Sequence, residues 1–477
     1  MTILSFAVPH LSKDLAPSPT QLLWIVDVYS FVLAATLVTM GTLGDRIGRR
    51  RLLVWGSVGF GLASLIVALA QNPETLILGR ALLGVAGAAL MPSTLALIRT
   101  VFVQERQRAF AVAVWASALS AGSALGPVFG GLLLEHFWWG SLFLVNVPVV
   151  LLLVAAVTLL VPESKARRPG SLDPASILLL VMALIPIVYG IKHTVVDGPS
   201  LFAVLFALVG AVSLVLFVRR QAVLATPMLD LGLFTIAPFR VAVLLNMFTL
   251  FAMVAALFYL SQHLQAVIGM TPLRAGLALL PGLALSVVGS FCAVAVAATL
   301  GLTRVLLLGL GHMVAGFAML GLMPAGGQVA YLIGAFSLVC FGAGLIQSLT
   351  NNIVITSAPP DRVGSASSVS ETGYELGAAL GVALMGSVLS AVYQAGLVGE
   401  PGVTAEARGS VAGAMEAASR LPPEQARFLE ETASTAFTHA IHVTSAVISV
   451  VLLLVAAVTV LSLRGERRSA DSLQCSH

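Results

Sequence analysis

Thirteen apolar runs of 18 to 29 residues leave this chain one solvent for most of its length. They fall at 22–43, 52–70, 76–98, 109–133, 138–161, 174–191, 201–218, 241–262, 274–298, 304–323, 329–356, 365–393 and 437–463. A helix needs about 20 residues to cross the hydrocarbon core of a bilayer. A chain of 477 residues that is 58% hydrophobic and 10% charged has no soluble fold with enough interior to hide it. The runs are continuous rather than alternating, which excludes a transmembrane β-barrel. The fold class is therefore an all-α integral membrane protein, with the lipid bilayer as its first partner.

Thirteen spans place alternate loops on one side. With the loop around Arg46 inside, 18 of the Lys and Arg side chains are cytoplasmic and 7 are not. That asymmetry orients the chain, multi-pass in the cell inner (plasma) membrane, with its C-terminus in the cytoplasm. The net charge of +4 reflects anchoring and is no evidence for a nucleic-acid partner. Cys292, Cys340 and Cys475 are not placed for a disulfide, and no metal-ligand spacing occurs. Neither a metal nor a cofactor nor an enzyme activity is expected, and a monomer suffices.

Met1–Val8 is apolar and is followed by Pro9, His10 and a polar segment to Gln21. At about 1.5 Å per residue, Met1–Leu11 covers roughly half of a ~30 Å core. There is no basic leader region and no small-residue cleavage site. The reading is a first helix truncated in this chain, completed in a protein that begins ~20–35 residues upstream of Met1, making fourteen helices with both ends inside.

The runs group as six, two and six. Residues 1–161 form an N-terminal six-helix bundle, and 162–218 a linker with two additional helices. A cytoplasmic connection, 219–240, leads to a C-terminal six-helix bundle, 241–463, and a tail, 464–477. Two bundles around a midplane site are a common transporter plan. The last outside loop, 394–436, reads as two short helices, Val411–Ser419 and Glu424–Ala433, broken by Pro422-Pro423. It is either a solvated cap or part of an exit gate.

Ionisable side chains inside spans are costly and mark function. Asp27 lies beside Trp24 and Tyr29, so an organic cation there would meet both charge and ring faces. The acid could equally carry a proton, or be hydrated near the interface. Glu371 and Glu375 are four residues apart and share a helix face, with Tyr374 and Gly377 next to them. They sit roughly 10 Å and 16 Å in from the cytoplasmic end. Two such carboxylates do not both ionise easily and can share a proton; alternatively Glu371 faces cytoplasmic water. His312 reads as a packing histidine. Gln347, Asn351 and Asn352 form a polar stripe, toward either an aqueous path or neighbouring helices.

Three further strings carry conformational information. Gly41-Thr42-Leu43-Gly44-Asp45-Arg46-Ile47-Gly48-Arg49-Arg50-Arg51 is a charged turn between two spans whose glycines permit a tight hinge. Arg80, with Gly84 and Gly87 after it, opens another span, where it has either a role or only an interfacial anchor point. Gly122-Ser123-Ala124-Leu125-Gly126-Pro127-Val128-Phe129-Gly130-Gly131 combines small residues, which allow close helix approach, with a proline that removes a hydrogen bond.

With these strings the chain resembles, over essentially its whole length, the fourteen-helix drug:proton antiporters of the major facilitator superfamily. Gly41–Arg51 looks like the superfamily's signature loop, with Asp45 and Arg49 as its charge pair and Gly41, Arg46 and Gly48 in place. Arg80 with Gly84 matches the arginine motif, and Gly122–Gly131 the motif associated with antiport. Trp24–Tyr29, Asn146-Val147-Pro148 and Pro162-Glu163-Ser164 are similar to strings in exporters of quaternary ammonium compounds, intercalating dyes and methyl viologen. Glu371 and Glu375 fall where those exporters carry acids. The resemblance implies a major facilitator fold and a proton-coupled exporter of lipophilic cations, with a dedicated natural-product exporter as the alternative. Two departures stand out. The aspartate of the family's first-helix motif would precede Met1. Ser286 stands near where divalent-cation exporters carry an acid, which implies a preference for monovalent cations.

Overall fold

The computed structural model describes the chain from Leu11 to Gln474, apart from residues 12–13, 16, 18, 166–172, 198–199, 225–226, 228, 230, 325–327, 360–361 and 399–402. The half-helix expected at the N-terminus lies outside the described residues. Among the described residues the regular structure is helical: α1 Pro19–Ile47, α2 Arg49–Ala68, α3 Pro73–Val101, α4 Glu105–His136, α5 Ser141–Leu144, α6 Asn146–Leu160, α7 Pro174–Asp197, α8 Leu201–Val223, α9 Ala237–Gln262, α10 Pro272–Leu300, α11 Leu302–Gly321, α12 Val329–Ser357, α13 Val363–Gly396, α14 Ala405–Gly409, α15 Val411–Ala418 and α16 Pro423–Gln474. Every apolar run is helical in its expected order, with 138–161 shared by α5 and α6. Eleven spans among the described residues are long and apolar enough to cross a membrane.

Local chemistry sets the boundaries. Asn72 caps α3 by accepting from the Thr75 amide at 2.8 Å, with Pro73 opening the helix and Glu74 in its first turn. Ser200 caps α8 and Thr271 caps α10 in the same way. A side-chain oxygen satisfies an orphan amide there, and a proline at the first position forfeits nothing.

One expectation is corrected at the last outside loop. Val411–Ala418 is a short helix, as read. Glu424–Ala433 is not a separate one: it forms the first turns of α16, which runs 52 residues from Pro423 to Gln474 and takes in most of the expected tail. The Pro-Pro pair does separate it from Val411–Ala418, as read, with Pro423 at the head of the new helix and Glu424 in its first turn. The five-residue α14 had no strong sequence signal.

The chain forms two compact units. The first comprises residues up to Trp115, Leu125–Asn246 and Thr350–Leu376; the second comprises Ala116–Ala124, Met247–Leu349 and Gly377–His477. In the first unit, Ile25, Val67, Leu76, Leu83, Trp139 and Phe143 belong to one buried cluster. The pair α7 and α8 packs as a hairpin in this unit. Much of α8 remains uncovered at Leu205, Leu208, Val209 and Val212, the face that meets lipid. The foot of the hairpin is polar. Asp173 pairs with Arg220 and accepts from Ser176 Oγ at 2.8 Å. Gln221 donates to Ser176 Oγ at 2.7 Å and accepts from the Leu229 amide at 3.0 Å. Arg220, then Ser176, hold the Asp173 carboxyl well below the usual carboxylate range. In the second unit the buried Tyr259 hydroxyl lies 3.2 Å from Ser445 Oγ.

Candidate functional site

The charged turn is built around one carboxylate in the first unit. Asp45 is the last-turn acid of α1 and Arg49 opens α2, so the two face each other across a single-residue break at Gly48. Gly48 has φ +116°, a conformation closed to most side chains, and a Cβ there would lie 2.5 Å from the Glu163 carboxylate. Arg49 donates to Asp45 Oδ1 through Nη2 at 2.9 Å and Nε at 3.2 Å. It also reaches Thr100 Oγ1 and Ser164 Oγ, both at 3.3 Å. Asp45 Oδ1 also accepts from the Gly364 amide and Oδ2 from the Ser365 amide, each at 3.2 Å. These are first-turn amides of α13, so the carboxylate both satisfies orphan donors and meets the positive end of that helix.

Approach is close enough to need small residues. A Cβ on Gly364 would lie 2.5 Å from Asp45 Oδ1, and one on Gly41 would overlap Ser368. Around this knot, Arg50 donates its amide to Glu163 Oε1 at 3.2 Å and its guanidinium to the Thr158 carbonyl. Arg51 pairs with Glu163 at 3.7 Å. Arg99 donates to the carbonyls of Ile355 and Ala358. Arg46, by contrast, is exposed.

Further along α13 stand the two acids. Glu371 is 4% exposed, which removes the alternative in which it faces water. Glu375 is half-buried, within electrostatic reach of Glu371 and of the Tyr29 hydroxyl. Arg80 is buried, which removes the interfacial-anchor reading. Its guanidinium sits over the Tyr29 ring at 5.3 Å. The fold thus brings Tyr29, Arg80, Glu371 and Glu375 into one neighbourhood of the first unit. Beside it lies a buried amide network that sequence reasoning missed. Asn246 of α9 donates to Asn351 Oδ1 at 2.9 Å and to Ser370 Oγ at 2.8 Å, and accepts from Thr350. Asn351 therefore serves helix-to-helix hydrogen bonding, and Ser370 ties that network to the residue before Glu371. A single Asn in an apolar run gave the signal, but its partners lie more than 100 residues away.

The other candidates are scattered. Trp24 and Tyr29 diverge: Trp24 stacks on Tyr189 of α7 at 6.0 Å while Tyr29 serves Arg80. The side chain of Asp27 lies outside the described residues. Tyr374 is half-buried. Helix α4 continues through Pro127, and the surroundings of Pro127 and Gly131 are outside what the structure describes. Gly126 and Gly130 are buried. Gly122 is exposed, and a Cβ there would meet nothing within 4 Å among the described residues, so close approach does not require glycine at that position. His312 bonds the Leu308 carbonyl of its own helix at 2.7 Å and meets Phe341 edge-on, a packing arrangement. Gln347 and Ser286 are buried, and Asn352 is half-buried.

One further residue escaped the sequence reading. His263 is fully buried in a π-helical turn, His263–Val267, stacked 6.2 Å from Phe437 in the second unit. Neither of its ring nitrogens has a hydrogen-bond partner among the described residues.

A family model described as Major Facilitator Superfamily matches residues 1–382. The multidrug efflux pump LfrA of Mycolicibacterium smegmatis is 44% identical over 467 residues, covering 97% of this chain and 93% of that protein. The methyl viologen resistance protein SmvA of Salmonella typhimurium is 36% identical over 452 residues, covering 93% and 91%. The tetracenomycin C resistance and export protein of Streptomyces glaucescens is 29% identical over 483 residues, covering 98% and 89%. Among solved structures, the human transporter MFSD10 aligns with a TM-score of 0.62 over 96% of this chain and 89% of its own. At 14% identity that likeness concerns the fold alone.

Proposed function

The chain belongs to the Major Facilitator Superfamily, and from that premise we propose that it is a proton-coupled multidrug efflux antiporter for lipophilic organic cations. Relatives named as a multidrug efflux pump and as a methyl viologen resistance protein, matched nearly end to end, support export of such compounds. The observation that carries the proton-coupled part is the pair Glu371 and Glu375, one turn apart, with Glu371 buried and a second carboxylate as its electrostatic neighbour. Carboxylates so placed in low dielectric keep at least one proton unless a cation arrives. In the outward-facing state the pair and Asp27 take up protons. In the inward-facing state the substrate cation competes for the carboxylates and the protons leave to the cytoplasm. Two six-helix bundles, with α7 and α8 as an added pair, rock about the midplane. The Asp45–Arg49 knot holds the closed cytoplasmic side and breaks at each turnover. The protein works in the plasma membrane as a monomer with its C-terminus inside.

Purified protein in vesicles with an imposed pH gradient tests this. Ethidium efflux should follow the gradient, release protons in the opposite direction, and stop when nigericin collapses the gradient. Ethidium movement without counter-flow of protons would overturn it. A second reading, export of a self-made antibiotic, is favoured by the likeness to the tetracenomycin C exporter. A polyketide transported in preference to ethidium and methyl viologen in the same vesicles would move that reading ahead.

A further inference from the structure

An aromatic ladder in the first unit joins the added helix hairpin to α1. Phe202 and Phe206, one turn apart on α8, stack at 5.8 Å. Phe206 meets Tyr189 of α7 at 5.1 Å, and Tyr189 lies nearly parallel to Trp24, at 6.0 Å and 16°. Trp24 meets Phe31 edge-on at 6.1 Å, and His193 closes on the side of Tyr189 at 5.6 Å. The two ends differ in surroundings. Phe202 is 66% and Phe206 37% exposed, on a face that meets lipid, whereas Phe31 is 2% exposed. The ladder therefore begins on an exposed face at the start of α8 and ends inside the protein, passing Trp24 three residues before Asp27.

Packing alone does not ask for such a row. Helix association in lipid is driven by close contact of small side chains, and leucine meets lipid as well as phenylalanine does. What rings add is a π-face that attracts a cation in a medium where little else solvates it. Four linked ring contacts supply that attraction step after step, from a lipid-exposed ring to the helix that carries Asp27.

We propose that Phe202, Phe206, Tyr189 and Trp24 form a lateral binding track through which organic cations pass between the lipid and the interior of the first unit. This assigns the hairpin a part in substrate handling rather than spacing alone. The inference rests on the export reading, and the cations are those of that reading: permanently charged and lipophilic, with or without rings of their own.

The test uses the full chain in vesicles, with wild-type, Tyr189→Leu, Tyr189→Phe and Phe206→Leu proteins side by side. Leucine keeps apolar bulk and removes the π-face, while phenylalanine keeps the face and removes only the hydroxyl. Both leucine variants should raise the KM for ethidium about fivefold or more with kcat held, a change worth ~1 kcal/mol, the scale of one cation–π contact. Tyr189→Phe should stay within about twofold of wild type. Ethidium monoazide, photolysed on the wild-type protein, should label the segment from Tyr189 to Phe206, and excess ethidium should suppress the label. A lowered kcat with unchanged KM in the leucine variants would mark a structural role and overturn the track, as would absence of label on that segment. If wild type itself does not pump ethidium against protons, the export reading fails and takes the track with it. If wild type pumps and the leucine variants match it, only the track fails.

Discussion

Two groups of buried acid in the first unit meet opposite environments. Asp45 is surrounded by donors: both sides of its carboxylate are occupied, by the Arg49 guanidinium and by the Gly364 and Ser365 amides. Glu371, two turns further along the same α13, has a second carboxylate for its electrostatic neighbour. A buried charge with full pairing is a lock, because removing either partner strands the other. A buried carboxylate whose neighbour is another carboxylate is suited to the proposed carrier role, because two such charges do not both ionise easily in low dielectric. The difference teaches that burial of an acid says little until its donors are counted.

Variants can break this contrast. The largest effect is expected for Glu375→Gln, which should bring pH-driven ethidium efflux to background while protein in the membrane stays at the wild-type level; full coupled activity would show that Glu375 carries no proton. Asp45→Ala comes next, costing about 3–5 kcal/mol by leaving Arg49 buried without its partner. Thermal unfolding of the purified variant should show that loss. A thermal midpoint equal to wild type would mean that the knot is not a lock.

Asn246→Ala probes the ground between the two groups. It removes hydrogen bonds to Asn351, Ser370 and Thr350 and should cost about 1–2 kcal/mol, since such bonds in membrane helices are individually weak. Because Ser370 precedes Glu371, the pH dependence of efflux should move as well. A stability loss without a pH effect would separate the network from the carboxylates. Asp173→Asn is the surface control and the smallest effect. The folded Asp173 titrates below its unfolded value, so its pairing with Arg220 stabilises at neutral pH and is lost as pH falls through the folded value. Wild type and variant should therefore differ slightly at pH 7 and converge in strong acid; a gap that widens in acid would reverse that sign.

Much of the architecture was legible because bilayer thickness imposes a length on every span, and the apolar runs carried that length openly. The charged turn was legible too, since Gly48 and its flanking charges sit within a few residues of one another. The partners of Asp45 on α13 were not, because nothing local announces that an amide 319 residues away completes its shell. Asn246 failed for the same reason. The helix behind Pro422-Pro423 was read too short, because nothing local announces that a polar outside segment and the apolar span after it share one helix.

By itself, the sequence determined that this chain spans a membrane many times, which loops carry the positive charge, and that few acids enter the apolar spans. Hydrophobic length and charge are additive along a chain, so they can be read one segment at a time. Only the tertiary structure decided which acid is paired with donors and which has another carboxylate for a neighbour, that Arg80 rests on Tyr29 rather than at an interface, and that Trp24 faces the added hairpin. Those outcomes depend on distances between helices, and in low dielectric such distances set whether a charge is stabilised or must be neutralised.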